Sequence, residues 1–479
     1  MKNKKHVIQE YIEQRKADFT ALSDQIWSFA ELSLQEYKSA AAYIDFLKQE
    51  GFTVQENLSG IETAFSGSYG SGRPVIGVLG EYDALSSLSQ KAGSTTYEPE
   101  TPDGCGHGCG HNLLGVGSLA AAVAIKHLIE AGELSGTVIF YGCPGEEGCA
   151  GKAFMARDGI FRDLDAALSW HPSDVNGVTT GSNMACLQME YTFHGIAAHA
   201  AGNPDKGRSA LDAVSLMNIG VQFLREHIPH TDCLHYSILD AGGISPNVVQ
   251  PTAKVLYMLR SDTVRHARKL LERVRKIANG AAMMTETTVK EVQIDGTSNI
   301  LSNHVLEQLL DRNLREAVLP QYTEEEQEFA AALYNTFDHE GVPGDMPEWS
   351  AEVRRLVSDW SDGGKKPLNN FVLPYVPTKR MEPGSSDVGD VSWLTPTAQF
   401  TAVSWVSGTP GHSWQAVSVG KTPIAHKGML LAASVLAGAV VDLMESPELL
   451  AAARAEFNLA ARDGYDCPLN PTLRPCPAQ

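Results

Sequence analysis

Between Gly104 and Gly115 the chain reads Gly-Cys-Gly-His-Gly-Cys-Gly-His-Asn-Leu-Leu-Gly, so that Cys105, His107, Cys109 and His111 alternate with glycine. Thiolate sulfur and neutral imidazole nitrogen are the donors that hold zinc-like divalent ions. Glycine at every second position lets a backbone bend sharply and approach an ion closely. The run alone is not a complete site, and a glycine-rich turn with two incidental histidines is its plain alternative. Further chemistry-bearing groups occur in Gly80-Glu81-Tyr82-Asp83, Gly145-Glu146-Glu147-Gly148, Trp170-His171-Pro172 and Pro410-Gly411-His412. Adjacent carboxylates on a glycine-flanked turn repel each other unless a cation is near. A set of this kind suits amide hydrolysis, in which bound divalent ions acidify water and polarise the carbonyl. A carboxylate that is not spent as a ligand can then carry the proton to the leaving amine.

The elements that must position these groups are legible in the hydrophobic pattern. Residues 5–50 carry helical periodicity that ends at Gly51. Phe52–Val54 and Thr63–Phe65 read as short strands. Pro74–Gly80 is a continuous apolar run, as in a strand buried on both faces. It delivers Glu81 and Asp83 to its C-terminal end, where open α/β sheets place their ligands. Leu113–Glu130 predicts a buried helix, and Gly136–Pro144 a second buried strand that leads into Glu146 and Glu147. Ala166–Trp170 predicts a third, ending at His171, and Phe400–Trp405 a last one ahead of His412. The polar loop 86–103 could form a wall of the site. From Met184 the character changes. Strand patterns at Gln188–Phe193, Ser237–Asp240, Asn247–Val249 and Val255–Arg260, with helices over 208–226 and 264–283, predict a compact α+β insert with one open sheet face. The first pattern resumes after residue 300, with helices and a surface insertion expected over 320–370 and a polar loop over Gly384–Asp390.

At 479 residues the chain exceeds one ordinary core and predicts two domains. An apolar fraction of 43% and a charged fraction of 20% fit a globular enzyme rather than a disordered or repeat protein. A net charge of −19 argues against nucleic acid or an anionic membrane as the main partner. The N-terminal stretch lacks the apolar core of a signal peptide. The longest apolar run, Met429–Val441, is shorter than a bilayer span and predicts a core helix. The eight cysteines form no compact framework, which predicts a reduced, cytoplasmic protein.

Taken in order along the chain, Gly80–Leu85, Cys109–Asn112, Gly145–Gly148, Trp170–Pro172, Gly195–His199, Asn247 with Arg260, and Pro410–His412 resemble the M20 metallopeptidase and amidohydrolase family, in its aminoacylase-like subfamily D. The resemblance implies an α/β fold. Residues 1–184 and 298–479 would form a zinc-peptidase-like catalytic domain with a mixed sheet flanked by helices, and 185–297 an inserted α+β lid and dimerisation domain. It implies two divalent metal ions, manganese or zinc, held by Cys109, His111, Glu147, His171 and His412, with Glu146 as general base and Asp83 in the catalytic set. From the lid it implies His199 at the developing oxyanion, with Asn247 and Arg260 at a substrate carboxylate. The implied reaction is cleavage of the amide bond of an N-acyl or N-aroyl amino acid, p-aminobenzoyl-glutamate foremost. The implied assembly is a homodimer joined through the lid, with or without a paralogous second subunit. A broader dipeptidase or deacylase and a catalytically idle partner subunit are the rival expectations. There are departures from the pattern. Asn112 and Leu114 stand where common members of the subfamily carry Asp and His. Cys105 and His107 offer a second ligand register, although spacing to the helix favours Cys109 and His111. Glu81 stands where other branches have a histidine, and is left as a site residue rather than a ligand.

Overall fold

The structure is a computed structural model that describes residues 3–339 and 341–477; Met1, Lys2, Glu340, Ala478 and Gln479 lie outside them. The N-terminal helical pattern folds as α1 (Lys4–Gln14), α2 (Lys16–Phe29) and α3 (Tyr37–Gln49). After them come β1 (Thr53–Glu56), β2 (Phe65–Ser71), β3 (Val75–Gly80), α4 (His111–Glu130), β4 (Gly136–Gly142), α5 (Gly151–Arg157), β5 (Ala166–Ser173), β6 (Gly177–Val178) and β7 (Ser182–Asn183). The strand expected from Thr63 begins only at Phe65, because the chain turns first and the Ala64 amide donates back to the Ile61 carbonyl at 3.0 Å.

Residues 185–297 build a sheet of their own from β8 (Ala185–His194), β9 (Cys233–Asp240), β10 (Thr252–Ser261) and β11 (Thr288–Thr297). Helices α6 (Ala210–Arg225) and α7 (Val264–Thr285) pack against it. The order is β11-β8-β10-β9, antiparallel throughout. Burial alternates along β10, which turns Val255, Tyr257 and Leu259 into the core shared with the two helices. Asn247–Val249 is not the expected strand but a turn, joined to His199 by a single bridge at Val248. Strand β11 goes unread in the sequence because a register shift between Gln293 and Asp295 breaks its alternation.

The remainder supplies α8 (His304–Glu316), α9 (Glu324–Tyr334), α10 (Ala351–Ser361), β12 (Met381–Glu382), α11 (Val388–Ser392), β13 (Thr397–Val403), α12 (Trp414–Val419), α13 (Pro423–Glu445) and α14 (Pro447–Ala460). The main sheet has seven strands in the order β1-β2-β4-β3-β5-β13-β6. Its centre, β4-β3-β5-β13, is parallel and its margins are antiparallel, so the sheet is mixed. Ile76, Val78, Phe140, Leu168 and Phe400 face the layer that contains α4 and α13, whereas Leu79, Tyr141 and Ala167 face α5 and α11. Helices cover both faces, which is why the central strands read as unbroken apolar runs. Helices α4 and α13 are long and apolar enough to cross a membrane, but 83% and 78% of their apolar windows are buried inside the fold.

Helix α4 lies unusually close to the sheet. A Cβ on Gly115 would overlap the Tyr43 hydroxyl and the Glu81 carbonyl oxygen, and one on Gly117 would meet the Trp170 ring. Trp170 Nε1 donates to the Leu114 carbonyl at 3.0 Å. This approach sets His111, the first residue of α4, against the end of β3. Gly115→Ala should therefore cost about 1–3 kcal/mol through forced displacement, read as a lower urea midpoint. Gly280→Ala in α7, where nothing lies within 4 Å, should be neutral or slightly stabilising.

Candidate metal centre

The C-terminal ends of the parallel strands converge. Strand β3 leads to Glu81 and Asp83, β4 to Glu146 and Glu147, β5 contains His171, and β13 leads to His412. Cys109 and His111 enter from the glycine run. Between them Gly110 has φ +74°, a left-handed conformation that favours glycine, and the Pro172 ring lies 3.0 Å from where its Cβ would stand. Close approach of the run to β5 depends on that missing side chain.

The rings are oriented from behind. His111 Nδ1 donates to Asp83 Oδ1 at 2.9 Å. The other Asp83 oxygen accepts the Ser33 hydroxyl at 2.8 Å and the Glu147 amide at 2.9 Å. His171 Nδ1 donates to the Pro172 carbonyl at 2.7 Å, which leaves Nε2 at 3.3 Å from Cys109 Sγ. His111 Nε2 then faces Glu81 Oε2 at 3.3 Å and Glu147 Oε1 at 4.0 Å. Glu147 Oε2 lies 3.4 Å from His412 Nε2. The donor atoms fall into three overlapping groups, each spanning no more than 4.8 Å: Cys109-His111-His171, Cys109-Glu147-His412 and Glu81-His111-Glu146.

Burial works against charge here, and each group answers according to its neighbours. Burial alone would raise the Asp83 carboxyl. The hydrogen bond and charge of His111, with the Glu147 amide and Ser33, outweigh it and hold the group at about 2. The Cys109 thiol is pushed up to about 12 by burial. Glu146 is raised by burial and then by Glu81 and Asp387, and Glu147 is raised mainly by burial. His171 is lowered by burial and by His111. His111 Nε2 and Glu147 Oε1 are buried with no hydrogen-bond partner. Donors held by one tetrahedral ion at 2.0–2.3 Å stand about 3.4 Å apart. The contacts of 3.3 and 3.4 Å in this cluster match that spacing, and a cation would satisfy both orphaned atoms. The donor set therefore fits divalent metal.

Other expected residues fall elsewhere. His107 turns its Nε2 to the Ile26 carbonyl at 3.1 Å, and Cys105 joins none of the donor groups among the described residues. His199 and Asn247 are neighbours on the exposed outer part of the insert, where the Ala200 amide donates to the Asn247 carbonyl at 2.9 Å. Arg260 does not join them. It pairs with Cys186 at the end of β10 opposite Thr252, about 26 Å away at 3.3 Å per residue. Within one chain Asn247 and Arg260 thus lie toward opposite ends of the sheet. Arg260 Nη1 donates instead to the Pro383 carbonyl at 2.7 Å. The loop at 86–103 packs on α12, with the Gly93 amide donating to the Ser418 carbonyl at 2.9 Å. The insertion at 320–370 braces the turn after β5 and the loop that leads to His412, since Asn369 Nδ2 donates to the Asp174 carbonyl and to Ser407 Oγ, each at 2.9 Å.

Sequence reasoning missed two charged residues. Lys152 and Asp387 are fully buried beside the cluster, and Lys152 Nζ lies 2.6 Å from both Glu81 Oε1 and Asp387 Oδ1. The available signals were a lone lysine in the apolar Gly151–Ala156 stretch and two aspartates in Gly384–Asp390. The polar-loop reading of the latter is corrected, because it leads into α11 with Asp387 and Asp390 fully buried.

A buried thiol, imidazoles and paired carboxylates above parallel strands define a metallohydrolase class, and comparison with known proteins gives its lineage. Residues 77–411 match Peptidase family M20/M25/M40. Over 480 residues the chain is 43% identical to the B-type subunit of p-aminobenzoyl-glutamate hydrolase from Escherichia coli (strain K12), covering 98% of each protein. It is 29% identical over 311 residues to the Xaa-Arg dipeptidase of Mus musculus, covering 62% of this chain and 68% of the relative. The crystal structure of a Bacillus subtilis protein described as a dinuclear metal binding peptidase from the M20 family shares the fold. Its TM-score is 0.54 at 17% identity, over 90% of this chain and 99% of that one. The chain belongs to the M20/M25/M40 peptidase family and is a metal-dependent amidohydrolase.

The orienting role of Asp83 has a pH signature. Its carboxyl is held at about 2 against an ordinary 3.8. The stabilisation is therefore complete above the ordinary value and is lost as pH falls through about 2, and it amounts to roughly 2 kcal/mol. In metal-free protein, Asp83→Asn should be destabilised by about this much at pH 6. The gap should narrow between pH 4 and pH 2.5, as read by urea midpoints.

Proposed function

We propose that this chain hydrolyses the amide bond of an N-acyl or N-aroyl amino acid, with p-aminobenzoyl-glutamate as the substrate and p-aminobenzoate and glutamate as products. The carrying observation is the convergence of Cys109, His111, Glu147, His171 and His412, with Glu146 grouped with His111 and Glu81. The near full-length identity to the Escherichia coli hydrolase chain supports the choice of substrate. The five donors would hold two divalent ions, which when bound acidify water and polarise the scissile carbonyl. Thiolate and imidazole favour zinc, and the family resemblance favours manganese. Glu146 takes the proton of the attacking water and delivers it to the leaving nitrogen, so that glutamate departs as a free amine. Asp83 keeps the His111 ring turned so that Nε2 serves as the donor.

Arg260 reads the carboxylate of the amino-acid portion. Its Nε is buried without a partner, and its Nη1 rests on Pro383, in the segment that leads to Asp387. His199 and Asn247 serve the site of a neighbouring subunit, with His199 at the scissile carbonyl. A homodimer through the lid suits the free edge of β9, which exposes Tyr236, Ile238 and Leu239, and the exposed Ile219 and Phe223 of α6. A paralogous A-type subunit is a second partner, in keeping with the name of the Escherichia coli relative. A cytoplasmic location agrees with cysteines that form no disulfide among the described residues.

Glu146→Gln should lower kcat by about 10²–10⁴ or more on p-aminobenzoyl-glutamate while metal content by elemental analysis stays at the wild-type level. Loss of metal in that variant would exchange the roles of Glu146 and Glu147. Wild-type protein that leaves this substrate intact but cleaves dipeptides would move the assignment to a dipeptidase. Inactivity toward every amide, even with metal and partner present, would make the chain an idle subunit.

Arg260→Ala should raise KM for p-aminobenzoyl-glutamate more than tenfold. The lost charge-assisted hydrogen bond contributes roughly 1.5–3 kcal/mol, and about 1.4 kcal/mol is tenfold. The glutamate-amide analogue should be affected little. Equal effects on both substrates would make Arg260 structural.

A further inference from the structure

Lys152 is 0% exposed, as is Asp387, and Glu81 is 2% exposed. Their contacts form one chain of charge. Asp387 spans Lys152 with both oxygens, taking the backbone amide at 2.8 Å and the ammonium at 2.6 Å. The same ammonium holds Glu81 Oε1 at 2.6 Å. The other oxygen of Glu81 is turned the opposite way, 3.3 Å from His111 Nε2, and Glu81 falls in one donor group with His111 and Glu146.

A buried lysine paired with one aspartate would be neutral. Glu81 adds a second carboxylate, so these three groups carry a surplus negative charge toward the donor cluster, where the His111 ring, already shared with Asp83, lies against it. Burying unbalanced charge costs several kcal/mol per ion, and a well-packed apolar core does as well or better than an ion pair for stability alone. The arrangement becomes intelligible if the free oxygen of Glu81 has a cation to meet. Its 3.3 Å separation from His111 Nε2 is that of two donors on one ion.

We propose that Glu81 is a further protein ligand of the metal centre, and that Lys152, fixed by Asp387, is the positioning residue that aims it. Lys152 grips one carboxylate oxygen and thereby restricts the rotation of the other. Asp387 closes a five-residue segment that begins at Pro383, where Arg260 of the lid is bound, and includes Gly384, whose carbonyl accepts the Met184 amide at 3.0 Å. The root of the lid and the aim of Glu81 are thus held by one short stretch of backbone.

This deepens, and rests on, the reading of a two-metal centre, so the test reads metal binding rather than turnover. Chelator-stripped protein is titrated with Co²⁺, following stoichiometry, affinity and visible absorption. Glu81→Asp keeps a charge for Lys152 but withdraws the carboxylate by one methylene. We expect it to bind at one of two sites at least tenfold more weakly, with a changed cobalt spectrum and an unchanged far-ultraviolet circular dichroism spectrum. The double variant Lys152→Met, Asp387→Asn removes the pair and its aspartate charge, leaves Glu81 with no ammonium to aim it, and should weaken the same site by about 10–100-fold. If Glu81→Asp binds two equivalents with wild-type affinity and spectrum, Glu81 only neutralises Lys152 and the proposal fails. That comparison decides the matter even if the double variant does not fold. Wild-type protein that binds no cobalt would overturn the metal-centre reading itself, a different result from two wild-type equivalents retained in Glu81→Asp.

Discussion

The hydrogen bond from His111 Nδ1 to Asp83 decides which edge of the imidazole looks into the site, and much of the centre follows from it. Asp83 is engaged on both oxygens by partners from three parts of the chain: Ser33 after α2, His111 at the head of α4, and the Glu147 amide after β4. One buried carboxylate therefore fixes three elements against each other. Its depressed proton affinity records the strength of that hold. Once Nδ1 is committed, the opposite nitrogen must face Glu81 and Glu147, and the carboxylates buried there call for positive charge.

The fold is arranged to make that buried charge tolerable. Parallel strands bring donors from distant parts of the sequence to adjacent positions, and short glycine-bearing turns set their angles. Apolar helices then shut out water on both faces of the sheet. The insertion at 320–370 and the loop at 86–103 brace the rim, one through Asn369 and the other through Ser418. The C-terminal tail also belongs to this frame, since Tyr465 donates to the buried Asp390 at 2.8 Å and Leu469 is buried.

Residues whose role is set by local pattern were legible in the sequence. The runs before Glu81, Glu146, His171 and His412 announced buried strands, and the Leu113–Glu130 run announced the helix behind the glycine loop. The α+β insert showed itself by a change of period at Met184. What stayed hidden depends on partners distant in sequence. Asp387 looks like a surface aspartate in a polar stretch until α5 is placed beside it with Lys152. Strand β11 is masked by its register shift. The separation of Arg260 from Asn247 follows from strand direction and length, which residue types do not encode. The two valines of Asn247–Val249 suggest a strand, but the stretch is a turn with a single bridge.

The order in which the donors occur along the chain has a consequence for how the protein matures. The first donors lie before residue 112, but His412 follows the whole lid and β13. A nascent chain thus cannot close the donor set until the lid has been made and the last parallel strand has docked beside β5. Contacts of such long sequence separation form late and slowly in folding. Any ion captured by the early Cys109–His111 segment would be held by a fraction of its final ligands and would exchange freely. With the proposed donor set, full-strength binding would be available only to the finished sheet, which would tie metal retention to completion of the global fold.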